Sequence, residues 1–90
     1  MKYPLVQNSV GGGSVPFTGE HVSLISPLDG SMLSQVPLSG VNEVESAVRA
    51  AAAAFPAWAG RTLKQRAQVA YRYRELLLRD IYRLTLLIHE

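Results

Sequence analysis

Few side chains in this 90-residue sequence have the types and spacing that chemistry needs. Glu43 and Glu45 are the closest pair of carboxylates. Paired carboxylates can divide acid and base roles between them. Here both fall in the first turn of a predicted helix, where negative charge offsets the helix macrodipole, and that reading is preferred. His21 and His89 have no metal-ligand spacing around them. His89 sits near a predicted helix C-terminus, the favourable place for a cation. There is no Cys, which excludes a thiol nucleophile, a thiolate metal site and a disulfide scaffold. Gly11-Gly12-Gly13-Ser14 would cradle a phosphate if it joined a strand to a helix. Val15-Pro16-Phe17 follows instead and begins no helical pattern, so the stretch reads as a flexible linker. Arg61, Lys64, Arg66, Arg72, Arg74, Arg79 and Arg83 interleave with Tyr71, Tyr73 and Tyr82. Such a mixture can bind single strands of nucleic acid. However, Arg72, Arg79 and Arg83 share a face with Glu75, and Glu75 to Arg79 is an i, i+4 pair, the pattern of a solvated face. Trp58, with Phe55 and Val48, reads as core. No residue is therefore assigned a catalytic, cofactor-binding or metal-binding role, and no nucleic-acid partner is expected.

Composition agrees with this bland inventory. Nine Lys and Arg against seven Asp and Glu leave a net charge of +2, too small to argue for any partner. Apolar residues make up 48%, which argues against a wholly disordered chain, although ten of them are Ala. The length suits one small domain and excludes a two-domain enzyme with its own cofactor fold. No signal-peptide pattern follows Met1-Lys2-Tyr3-Pro4, and no apolar run reaches membrane-spanning length. The expectation is a soluble, cytoplasmic product without a membrane partner.

The elements read in three parts. Residues 1 to about 20 form a flexible Gly-rich lead. Residues 22 to 38 predict a β-hairpin: Val22 and Leu24 alternate with Ser23 and Ile25, and Met32, Ser34 and Val36 with Leu33 and Gln35. Pro27-Leu28-Asp29-Gly30 supplies the turn. A two-stranded hairpin is marginal in water and needs something to lean on. Residues 40 to 59 predict a first helix, with Val44, Val48, Ala51, Phe55 and Trp58 on one seam. Ser39 or Asn42 is its expected cap, Asn42 with Glu45 in the manner of a capping box. Pro56 is expected to end or kink it near residues 52–55, and Gly60 to close it. Residues 63 to 89 predict a second helix opened by a Thr62–Gln65 capping box.

That second helix is out of proportion to the chain. At 1.5 Å per residue it would reach about 40 Å, whereas a compact 90-residue protein is about 31 Å across. On a helical wheel, Gln65, Gln68, Arg72, Glu75, Arg79 and Arg83 occupy about 80° of arc, and nearly everything else is apolar. The apolar sector is more than twice the stripe of an ordinary surface helix. It asks for neighbours on at least two sides. Arg66, Arg74 and Asp80 fall inside that sector, so their partners are expected elsewhere. The expected fold class is mainly α with a small β-hairpin, the two helices antiparallel. The sequence reads as part of a larger protein or as a protomer that must self-associate.

The ordered motifs Ile25-Ser26-Pro27-Leu28-Asp29-Gly30-Ser31, Val36-Pro37-Leu38, Ala47-Val48 and Ala54-Phe55-Pro56-Ala57-Trp58 resemble the N-terminal region of aldehyde dehydrogenases. Arg66-Ala67-Gln68-Val69, Tyr71-Arg72-Tyr73-Arg74-Glu75-Leu76-Leu77 and Leu86-Leu87-Ile88-His89-Glu90 continue the resemblance. It covers residues 20 to 90 and looks most like the CoA-acylating methylmalonate-semialdehyde dehydrogenase branch. The resemblance implies that residues 21–90 are an incomplete part of an α/β, Rossmann-like cofactor domain. It further implies NAD-dependent oxidation of an aldehyde through a Cys thiolate, release of the thioester to water or CoA, and dimers or tetramers. None of the family's chemical residues has a counterpart in this sequence. Family members also carry a short strand pair with an Asn-Gly turn near the start, where this sequence has Gly11-Gly12-Gly13. The alternative expectation is a stand-alone helical hairpin that oligomerises and has no enzymatic activity.

Overall fold

The computed structural model describes residues 1–90 and divides them into two compact units, Met1–Ala54 and Phe55–Glu90. The first unit opens with β1 (Asn8–Val10) and β2 (Gly13–Val15), an antiparallel pair in the register Asn8↔Val15 and Val10↔Gly13. The segment read as a flexible lead thus contains a hairpin. Gly11 and Gly12 are its two central turn residues, with φ of 61° and 81°. A two-residue turn whose twist matches the strands needs positive φ at both positions, and only Gly adopts that without cost. The glycines that suggest a linker therefore make the turn.

The rest of the lead is also tied down. Lys2 N–H donates to the Met32 carbonyl (3.2 Å), Tyr3 N–H to Leu33 (2.8 Å) and Val6 N–H to Gln35 (3.0 Å). Ser34 Oγ donates to the Pro4 carbonyl at 2.6 Å. Residues 2–6 thus run parallel to β4 (Met32–Pro37), which pairs antiparallel with β3 (His21–Ile25). This is the third-strand support that the marginal hairpin needs.

The β3–β4 turn follows the expected chemistry. Gly30 takes φ of 74°. Asp29 Oδ1 accepts from Ser31 N–H at 2.9 Å and Ser31 Oγ at 2.6 Å. Ser26 Oγ accepts from Leu28 N–H at 3.2 Å. Strict alternation, however, fails in β4. Leu24 pairs with Ser34 and Ile25 with Met32, so Leu33 is the extra residue of a bulge. A bulge breaks the period of two. Adjacent Leu33 and Ser34 are consequently both buried, at 8% and 3% exposure. Leu33 is the sole buried apolar residue of the chain, flanked by buried Ser26 and Ser34.

Helix α1 (Val41–Ala59) begins one residue later than expected and caps differently. Gly40 precedes it, and Glu43 Oε2 accepts from Gly40 N–H at 2.8 Å. Glu43, not Glu45, is the acid that reaches back over the first turn. Pro56 lies inside α1 and does not end it. Pro forfeits one hydrogen bond, and the helix resumes at once: Gly60 N–H donates to the Pro56 carbonyl at 3.0 Å. The Ala50–Ala54 run, with the highest helix propensity, offsets part of that loss.

In the second unit the single expected helix is two. They are α2 (Leu63–Arg79) and α3 (Ile81–His89). Thr62 and Gln65 form the full capping box: Gln65 N–H to Thr62 Oγ1 at 3.2 Å, and Thr62 N–H to Gln65 Oε1 at 3.0 Å. The break falls at Asp80, with φ −104° and ψ 18°. Asp80 departs from helical angles and is a poor helix former. Yet Asp80 N–H still donates to Leu76 O (3.2 Å) and Leu84 N–H to Asp80 O (2.9 Å). No residue of α1, α2 or α3 is buried.

Candidate functional site

A groove of about 500 Å³ in the first unit lies between the β1–β2 hairpin and the start of α1. Val10, Val15, Phe17 and Val44 supply its apolar wall. Three of its polar side chains, Asn8, Ser39 and Glu43, are already engaged. Asn8 Nδ2 donates to Ser39 Oγ at 2.7 Å, and Glu43 holds the Gly40 N–H. Glu43 is the sole ionisable group on the wall. A lone carboxylate acting as a helix cap has no partner for acid–base work. Glu45 is not part of the groove.

In the second unit a groove of about 480 Å³ lies along the polar face of α2, lined by Arg61, Gln65, Gln68, Val69, Tyr71, Arg72 and Glu75. The Arg61 guanidinium lies 6.0 Å from the centre of the Trp58 ring. Trp58, with Phe55 and Val48, is exposed and not core. Glu75 stands beside Arg72 here, as expected, but Arg79 turns the other way. Its Nη2 donates to Asp80 Oδ2 at 3.0 Å, replacing the expected Glu75–Arg79 pair. The adjacent Arg79 guanidinium holds the Asp80 carboxyl below the ordinary Asp value, and Asp80 in turn raises Arg79. Hydrogen bonds from Ser31 similarly lower Asp29. Asp29 is exposed and Asp80 half-buried, and each shift serves local structure.

The remaining candidates are scattered. His21 is on β3, edge-on to Phe17 with ring centres 5.5 Å apart. His89 ends α3, in the other unit. No three His, Cys, Asp or Glu side chains come together in a way that would hold a metal ion. Gly11–Gly13 joins strand to strand, so its amides do not open onto a helix as a phosphate cradle requires. With no cation on its wall and no cradle beside it, the first groove does not fit a dinucleotide. No helix is long and apolar enough to cross a membrane. The arrangements that sequence reasoning missed, the Asp29–Ser31 turn contacts and the Arg79–Asp80 pair, are local. Their signal was adjacency within one or two residues, which wheel spacing ignores.

Comparison with known proteins gives a consistent result. The family model described as "Aldehyde dehydrogenase family" matches residues 15–90. The chain is 38% identical over 73 residues to 2-aminomuconic semialdehyde dehydrogenase of Bos taurus, covering 81% of this chain and 15% of that protein. It is 36% identical over 81 residues to malonate-semialdehyde dehydrogenase of Pseudomonas aeruginosa, covering 90% of this chain and 16% of that protein. A malonate-semialdehyde dehydrogenase of Bacillus pumilus is 32% identical over 75 residues. The chain thus spans about 15% of the length of the curated relatives it matches.

Proposed function

The chain belongs to the aldehyde dehydrogenase family, and from that premise we propose that it supplies a packing, non-catalytic part of an NAD-dependent aldehyde dehydrogenase. The family match over residues 15–90 carries the proposal. Two named relatives act on semialdehydes, which favours a semialdehyde as the substrate class. Release to the acid or to an acyl-CoA follows from the resemblance to the methylmalonate-semialdehyde branch. The chemistry would lie on residues outside these 90, because nucleophile, base and nucleotide cradle have no counterpart among them. The three helices, with no buried residue, support the same reading: their apolar faces are surfaces built to be covered.

The second reading is a stand-alone helical protein that self-associates without enzymatic activity. The exposed leucines of α2 and α3 favour it equally. One experiment separates the two. An antibody against residues 61–80 should capture a subunit-sized product from source cells, and the captured material should form NADH from malonate semialdehyde and NAD. The isolated chain should form none. A captured product of 9.8 kDa only, with no dehydrogenase activity, would overturn the enzyme reading.

A further inference from the structure

We draw no further inference here: the strongest candidate, the exposed apolar surface patch along α2 and α3, is unpartnered, and nothing in the structure shows what covers it.

Discussion

Gly11 gives two substitutions of opposite expected sign at one position. Its φ is 61°, and a Cβ built there meets nothing within 4 Å. Any effect of a new side chain must then come from the backbone, with no packing contribution. Gly11→Val forces a β-branched residue into the left-handed region, at a cost of about 1–2 kcal/mol. Gly11→Asn places there the non-glycine residue that best tolerates it, ahead of a glycine at φ 81°. Asn also narrows the unfolded ensemble, worth about 0.4–1 kcal/mol in favour of the hairpin. Amide hydrogen exchange across Asn8–Val10 and Gly13–Val15 reads both. Since 1.4 kcal/mol is a factor of ten, Gly11→Val should lower protection by about 5- to 30-fold. Gly11→Asn should hold or raise it. Equal losses from Val and Asn, or no loss from Val, would refute the turn argument and return residues 11–13 to the status of a linker.

Thr62→Ala removes one arm of the capping box at α2 and should cost about 1 kcal/mol of helix stability, read as a lower thermal midpoint by circular dichroism. Pro56→Ala restores an N–H inside α1 and should raise helicity and stability, by up to about 3 kcal/mol; an unchanged melt would show that α1 has adapted to the proline. Asp29 has a carboxyl pKa lowered below its unfolded value of 3.8 by Ser31. Its contribution to the β3–β4 turn is therefore present above that value and lost as pH falls through the lower folded pKa. An NMR titration of Asp29 should give a midpoint under 3.8, and Ser31→Ala should move it back; a midpoint at or above 3.8 in the parent chain would contradict the hydrogen bonds.

What could be read from the sequence follows how local each feature is. The Thr62–Gln65 box, the Asp29-Gly30 turn and the Gly60 closure rest on residues within four positions of each other, and each forms. Periodicity found the helices but not their interruptions. Pro56 reads as a breaker, although one lost hydrogen bond is a finite cost that an alanine run can bear. Asp80, with no such signal, breaks α2 from α3. The β4 bulge was hidden because strict alternation over Met32–Val36 cannot show that Leu33 is an extra residue. The lead was misread for another reason: its order depends on backbone contacts to β4, thirty residues away. Composition carries no trace of such contacts. The candidate site was legible mainly as scattered groups, and the grooves themselves were not.

The first hairpin also shows how a family feature can persist while its residues change. The resemblance implied a strand pair with an Asn-Gly turn, and this chain lacks that dipeptide at the position. Asn-Gly and Gly-Gly nevertheless answer the same demand, positive φ at two successive residues between strands twisted to the right. Gly-Gly meets it with less preorganisation, since two glycines lose more backbone freedom on ordering. The contacts of residues 2–6 with β4 then matter more than they would beside an Asn-Gly turn. They fix the chain leading into β1 and so reduce the freedom left to the three-residue strands. The same logic extends to the helices. Helices of 19, 17 and 9 residues with no buried side chain draw little stability from propensity and caps alone. The hairpins are thus held by the chain's own backbone, whereas the apolar faces of the helices stay exposed.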